Sequence, residues 1–510
     1  VHHGGGVSVR ALVCVLALTT CCMAGRSDGM DWQAGVSRCV ITPQNDVWLA
    51  GYGTRRAAEG VIHDLWAKVL ALRAPGGKRA VMLTTDHMGM SRTVYDAIFG
   101  AVHERYGLAA DEFMLTFSHN HCGPCLTDDL VDYYPADDAQ RREVAEYTDW
   151  MIARVVDAVG AALEDLQPAE LSMGMGRCTF AVNRRENTEE EVPQRRAQGL
   201  PLRGVVDHDV PVLAVRGDDG ALRGVLFGYA CHPTTLAFTY WCGDYPGFAQ
   251  IDLEAAHPGT TAMFFNACGA DQNPIPRREL ARAEQYGHML ADAVNGVLAG
   301  EMQPVSAGLR TAFEWIELDY EEVATRETLA PVAAGDPERL HTRWARRMLA
   351  LLDEGAVFAT GYAYPVQAWR LGAEDGGTPS SLLLIAIGGE SVVDYALRFK
   401  REFGPATWVC GYANDMAAYI PSRRVWEEGG YEGGPHLDEY GRPAWRWAGD
   451  VEDRIAAASR FYDGNVGALN TRVDSFPSSL VARGARVRRA SYFLVEEAAL
   501  RTVPPVAPHG

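Results

Sequence analysis

In the run Ser118-His119-Asn120-His121-Cys122-Gly123-Pro124, two imidazoles stand two positions apart, directly after the apolar stretch Phe113 to Phe117. On extended backbone, side chains at i and i+2 point the same way, so His119 and His121 can face one pocket. Neutral imidazoles at that spacing supply half of a common zinc site. The same pair is as readily two histidines hydrogen-bonded within a turn, and the spacing alone leaves both readings open.

Four further segments carry groups of the same kind. In Gly228-Tyr229-Ala230-Cys231-His232-Pro233-Thr234-Thr235 a histidine leaves an apolar run just before a proline, which resists continuing a sheet. Asp244 follows in Gly243-Asp244-Tyr245-Pro246-Gly247, placed to orient a ligand or bind substrate. The loop Asn266-Ala267-Cys268-Gly269-Ala270-Asp271-Gln272-Asn273-Pro274 has small residues that let backbone N–H groups approach a bound molecule, as an oxyanion pocket requires; an ordinary tight turn has the same composition. Glu390 follows Gly388-Gly389 and offers an oxygen ligand. Tyr419, in Asn414-Asp415-Met416-Ala417-Ala418-Tyr419, is an unusual zinc ligand that spacing does not single out from a packed aromatic.

The elements that must position these residues alternate in type. Ala80 to Thr85 reads as a buried strand ending at Asp86. A helix follows with Val94, Ile98 and Val102 on one face and Gly107 at its end. Phe113 to Phe117 is the next strand. A long helix then carries Val144, Tyr147, Met151, Val155 and Val159 as one stripe, stopping before Pro168. Val225 to Ala230, Ala262 to Phe265, Leu382 to Ile387 and Thr407 to Cys410 are further strand-like runs. The expected fold is α/β, with mixed, largely parallel multi-stranded sheets and flanking helices. Asp86, His119, His121, His232, Asp271 and Glu390 all fall just after such runs, where open α/β sheets bind ligands. The stretches 186–203 and 421–450 read as long loops or lids, and 476–500 as a terminal addition.

Bulk properties exclude some functions. The 510 residues carry a formal charge of −19, the wrong sign for a nucleic-acid footprint, so no nucleic-acid partner is expected. A hydrophobic content of 47% is enough for a large core. Arg10, the apolar stretch Ala11 to Leu18 and the small residues after it resemble a secretory signal, so residues 1–29 are expected to be a leader and the chain exported to the periplasm or beyond. Cys21 or Cys22 would serve for lipid anchoring. Were Met30 the true start, residues 1–29 would be a misassigned leader and the protein cytoplasmic. Eleven cysteines, with Cys122 and Cys125 the one Cys-x-x-Cys spacing, make neither a zinc ribbon nor a thioredoxin-like motif.

Taken in order, these segments resemble the neutral/alkaline non-lysosomal ceramidase family. Its Thr/Ser-His-Thr-His-Ser-Gly-Pro segment is matched by Ser118 to Pro124, and its His-Pro-Thr-Ser segment by His232 to Thr235. Its Asn-Ala-Gly-Asp-Val-Ser-Pro loop is matched by residues 266–274, its Pro-Gly-Glu turn by Gly388 to Glu390, and its Asn-x-Tyr-x-x-Tyr segment by Asn414 to Tyr419. Shorter echoes are Gly35 to Arg38, Ile41 to Pro43, His63-Asp64, Asp86 and Asn183-Arg184. The likeness runs over roughly residues 33–465, so a catalytic domain is expected over 30–465 and an extension over 466–510, too short for the family's immunoglobulin-like domain.

The resemblance implies a zinc ion held by His119, His232, Glu390 and Tyr419. It implies that His121 lines the site as a proton-transfer partner, that Asp271, Asn273 and Arg184 join the catalytic groups, and that Asp86, Asp244 and Gly269 contact substrate or support the ligands. Zinc in such a site lowers the pKa of water to about 7 and polarises a carbonyl. The implied substrate is a small or lipid-like N-acyl compound, with peripheral membrane contact if it is a lipid. Two departures stand out: Asn273 replaces the family's serine, and Met416 its first tyrosine. An amide can donate to an oxyanion but is no nucleophile. Two other readings stay open: a zinc-pocket protein that only binds lipid or glycan, and a metal hydrolase of the amidohydrolase barrel class.

Overall fold

Side-chain alternation along the strands sets the layering of this protein. The computed structural model describes residues 1–2, 32–372 and 381–460. The expected leader, apart from Val1 and His2, and the C-terminal extension therefore lie outside the described residues. No described helix is long and apolar enough to cross a membrane.

The main sheet runs, in hydrogen-bonded order, Thr261–Asn266, Leu222–Tyr229, Asp209–Gly217, Gln167–Arg177, Trp32–Val40, Trp66–Arg73, Arg79–Thr85 and Phe113–Phe117, with Gln303–Pro304 paired beside Gln167–Arg177. It is mixed and flanked by helices, as expected, but not largely parallel. Only the outermost pairs, Arg79–Thr85 with Phe113–Phe117 and Leu222–Tyr229 with Thr261–Asn266, are parallel; the ladders between them are antiparallel. A second sheet orders Leu309–Asp319, Gly361–Leu371, Leu382–Ile387 and Trp408–Cys410, and its last two strands are again parallel. The eight-stranded parallel barrel that an amidohydrolase needs is absent among the described residues.

Period-two alternation splits each outer strand between two cores. Val81, Leu83, Phe113, Leu115 and Phe117 face the helices Arg92–Tyr106 and Asp138–Glu164, packing on Val94, Ile98, Met151 and Val155. Met82 and Met114, from the same strands, face the second sheet and meet Leu382, Leu384 and Trp408. At the other end of the sheet, Phe227 and Phe264 pack on the helices Asp244–Ala256 and Leu280–Ala299, while Leu226, Met263 and Phe265 turn inward. The first helix ends at Gly107, as the sequence suggested, and Ser91 caps its start. Ser91 accepts from the Val94 amide at 3.4 Å, and Gly107 ends the helix at φ 64°, a left-handed conformation that glycine takes without penalty.

Strands from the two ends of the main sheet are stitched together by the segment after Trp408–Cys410. Asn414 N donates to Leu115 O at 2.8 Å and Phe117 N to Tyr412 O at 3.2 Å, while Cys410 forms a bridge with Ala267. Asn266 Nδ2 reaches Ser118 O at 3.1 Å. The carboxyl ends of all three parallel pairs thus meet in one place.

The stretches read as loops contain short helices, Glu191–Ala197, Arg423–Glu428 and Gly430–Gly433. Buried Leu437, Ala444 and Trp447 show that the second stretch is packed into the body of the protein and is not a free lid.

Candidate metal centre

His119 follows its strand with φ 66°, a left-handed conformation that a histidine adopts at a cost of about 1–3 kcal/mol. The extended backbone expected at this point is therefore broken. The turn is held by Ser118 N to Thr85 O and His119 N to His87 O, both 2.9 Å, and by Asn120 Nδ2 to Asp86 O at 2.7 Å. It still delivers both imidazoles to one point: His119 Nε2 and His121 Nε2 lie 3.3 Å apart.

His232 arrives from the opposite end of the sheet. Its Nε2 lies 3.0 Å from Glu390 Oε2, and His119 Nε2 lies 3.1 Å from the same oxygen. The other ring nitrogens of the two histidines are fixed by backbone: His119 Nδ1 donates to Met88 O at 2.6 Å, and His232 Nδ1 to Gly269 O at 2.9 Å. With the protons on Nδ1, the Nε2 lone pairs of both rings face the Glu390 carboxylate. Acceptors so placed repel one another unless something positive lies between them. The nitrogens of His119, His121 and His232 lie within 4.8 Å of each other. Donors at 2.0–2.1 Å from a tetrahedral zinc would stand roughly 3.3–3.4 Å apart, close to the separations seen here. The donor set fits zinc.

The electrostatics point the same way. Burial, then Arg184, brings His232 down to about 4, with Glu390 pulling it back only in part. Burial, then His119 and His232, holds His121 well below the ordinary histidine value. Burial opposes the charge of Glu390, yet His119 and His232 keep its carboxyl well below the usual range. His121 and His232, held neutral by burial, can offer the ring lone pairs that a divalent cation requires.

Tyr419 sits behind His232, with ring centroids 6.5 Å apart. Its hydroxyl accepts from Arg184 Nη2 at 3.1 Å. Arg184 also donates from Nε to Glu432 at 2.7 Å and from Nη1 to Asn273 Oδ1 at 3.5 Å. Arg184, Asn273 and Tyr431 help to line a cavity of about 700 Å3.

Other expected residues stand further back. Asp271 Oδ1 accepts from Val393 N at 2.9 Å and its backbone oxygen from Arg184 N at 2.8 Å, tying the 266–274 loop to the segment after Glu390. Burial raises its carboxyl to about 7. Gly269 works through its carbonyl on His232, and a Cβ there would come within 2.5 Å of Cys231 N. Asp244, at φ 54°, spends its carboxylate on the amides of Leu236 and Tyr245 and shapes the loop after His232. Asp86 accepts from Trp66 N at 2.9 Å and braces the His119 turn from below. The structure does not bring Asp86 or Asp244 to the cluster.

Several contributors were not singled out in the sequence. Tyr440 donates to Glu390 Oε1, the oxygen turned away from the imidazoles. Tyr412 lays its ring 4.6 Å from that of His119. Arg56 holds the His121 carbonyl at 2.9 Å, and Tyr52 meets the His121 ring edge-on at 5.0 Å. Glu432 anchors both Arg184 and Arg185 at 2.7 Å. Gly51-Tyr52-Gly53 and Gly429-Gly430-Tyr431-Glu432-Gly433-Gly434 were available signals, since glycines beside aromatic and charged residues mark close approach.

Two solved structures share this fold. One, a neutral ceramidase from Pseudomonas aeruginosa, aligns with a TM-score of 0.61 at 18% identity over 85% of this chain and 75% of its own. The other, a ceramidase complexed with C2, aligns with a TM-score of 0.61 at 18% identity over 84% and 76%. The description "LemA family" matches residues 448–507, of which 461–507 lie outside the described residues. The description "Neutral/alkaline non-lysosomal ceramidase, N-terminal" matches residues 32–325, a span that takes in both histidine segments and the Asn273 loop. The chain belongs to the neutral/alkaline non-lysosomal ceramidase family, a family of amide-bond hydrolases.

Proposed function

We propose that this protein is a zinc-dependent hydrolase that cleaves the amide bond of an N-acylated substrate. The observation carrying this reading is the convergence of the His119, His121 and His232 nitrogens, within 4.8 Å of one another, on Glu390 Oε2, which lies 3.0 Å from His232 Nε2 and 3.1 Å from His119 Nε2. His119, His232 and Glu390 would hold the ion, with Tyr419 as the further ligand that the family resemblance implies. Zinc bound there would act as a Lewis acid on a carbonyl oxygen and make water acidic enough to react at neutral pH.

The chain's own groups supply the rest. Hydrolysis breaks the carbonyl C–N bond, joins the water oxygen to the acyl carbon and leaves a proton for the amine nitrogen. His121 Nε2, facing the cluster, is the atom placed to carry that proton. Asn273, its carbonyl engaged by Arg184, would donate from Nδ2 to the oxygen that gains charge. Arg184 holds the Tyr419 hydroxyl and is itself fixed by Glu432. A hydroxyl nucleophile at position 273 is not required by this scheme.

Export of the protein is part of the proposal, resting on the signal-like run after Arg10. The test is turnover of a fluorogenic N-acyl panel by the purified chain. Cleavage abolished by a chelator and restored by zinc is expected; binding without cleavage of any member would favour a ligand-binding role.

A further inference from the structure

The three cluster histidines are held in two different ways. His119 and His232 each donate from Nδ1 to a backbone carbonyl, of Met88 at 2.6 Å and of Gly269 at 2.9 Å. Such an anchor fixes ring and tautomer, and is the usual mark of a histidine that binds metal. His121 has no such anchor: its Nδ1 is buried and has no hydrogen-bond partner. Its Nε2 faces the cluster all the same, 3.3 Å from His119 Nε2. Something other than a hydrogen bond must therefore aim this ring.

The loop closed by the bridge between Trp48 and Ala57 supplies the packing that does so. Gly51, at φ 93°, lies against the imidazole; a Cβ there would come within 2.3 Å of His121 Cγ and 2.4 Å of Nδ1, so a side chain has no room. Tyr52 then sets its ring on the imidazole, with centroids 5.0 Å apart and planes at 69°, the edge-to-face arrangement that aromatic pairs favour. The loop is itself tied down. Gly51 N donates to the Tyr134 hydroxyl and Ala50 N to Gly123 O, both at 2.8 Å. Arg56 Nη1 donates to Ala50 O at 2.8 Å and to His121 O at 2.9 Å, and its guanidinium lies 4.8 Å from the Tyr52 ring centre. The Tyr52 hydroxyl makes a long contact, 3.5 Å to Leu236 O, so it is the ring and not the hydroxyl that holds His121.

We infer that Tyr52 is a positioning residue for the reaction: its ring edge, beside the bare backbone of Gly51, directs His121 Nε2 at the amine nitrogen that must gain a proton as it leaves. The inference rests on the hydrolase reading and goes further by naming what aims the proton carrier. A ring fixed by packing alone keeps its direction only while its neighbours are in place, and an error of about 1 Å in a reacting group can cost about 10²-fold in rate. The proton passes from the attacking water to His121 Nε2 and on to the amine nitrogen as the C–N bond breaks. An alkylamine cannot depart without that proton, whereas an aryl amine carrying a nitro group needs it far less. A misdirected His121 should therefore slow the first kind of amide and spare the second.

The experiment measures kcat and KM on the zinc-loaded full chain for two amides of octanoic acid, one with an alkylamine and one with p-nitroaniline. Tyr52→Ala should lower kcat about 10–100-fold on the alkylamide and less than about threefold on the anilide, with zinc content unchanged. Tyr52→Phe, which keeps the ring, should recover most of the loss. Equal losses on both amides, a change confined to KM, or no recovery with phenylalanine would overturn the inference while leaving the hydrolase reading intact. No turnover of either amide by the unmodified chain would count against the hydrolase reading instead. The crystal structure of the Tyr52→Ala variant decides the inference independently of turnover: an imidazole of His121 turned away from the cluster supports it, and one left in place overturns it.

Discussion

His232 Nε2 and Glu390 Oε2 meet at 3.0 Å across 158 positions of sequence. Each comes from the carboxyl end of a strand in a parallel pair, and each is braced on the side away from the contact. Gly269 O holds His232 Nδ1, and Tyr440 holds Glu390 Oε1. The contact is thus over-determined by backbone and phenol before any ion arrives.

The brace on Glu390 can be removed with little change in volume. Tyr440→Phe leaves Oε1 buried without its donor and frees the carboxylate to rotate. Zinc affinity should fall about 10–100-fold, as for other groups that orient metal ligands. Competition against a chromophoric chelator measures it, and an unchanged affinity would remove Tyr440 from the account.

The brace on His232 is more sensitive to bulk. Gly269→Ala puts a methyl 2.5 Å from Cys231 N, a backbone atom that cannot step aside cheaply. A loss on the order of 1–3 kcal/mol in denaturant unfolding is expected, together with weaker zinc binding. Gly100, inside the helix Arg92–Tyr106 with open space around its missing Cβ, is the control. Gly100→Ala should stabilise by about 0.5–1 kcal/mol.

Asp129, which interacts electrostatically with His119 and Glu390, gives the metal-free protein a pH signature. It is 6% exposed, its Oδ2 has no partner, and burial raises its carboxyl from 3.8 to about 7. A folded-state value above the unfolded one means stability is fully present below pH 4 and is lost as pH rises through 7. Asp129→Asn should therefore stabilise the metal-free chain at pH 8, by ~4 kcal/mol at most, and not at pH 4. Urea unfolding at the two pH values tests this; equal effects at both would contradict it.

Asn273 is expected to act on turnover and not on metal. Asn273→Ala should lower kcat on the best substrate by about 10²-fold, the usual cost of one oxyanion donor, with zinc content unchanged. A change confined to KM would make it a binding group only.

Much of the site was legible because parallel strands buried on both faces leave continuous apolar runs. Phe113–Phe117 and Leu382–Ile387 stand in the chain as such runs, and His119 and Glu390 follow them at once. Among the antiparallel strands between the two ends of the sheet, Gln167–Arg177 carries no such mark. Gln167–Arg177 alternates buried and exposed positions, and its polar half conceals the strand. Reading only the first kind made the sheet look largely parallel. Asp86 and Asp244 occupy positions that open sheets use for ligands, but backbone amides within reach claimed their carboxylates first. Tyr440 and Glu432 could not be read from the sequence, because their partners lie 50 and 248 positions away and the segment holding them has no periodicity.

The central claim is that three distant segments grip one divalent cation. Elemental analysis and zinc titration of the purified chain test it most directly. One tightly bound zinc per chain is predicted, lost in the His119→Ala, His232→Ala double variant. A folded chain that binds no zinc, or a double variant that retains it fully, would contradict the account.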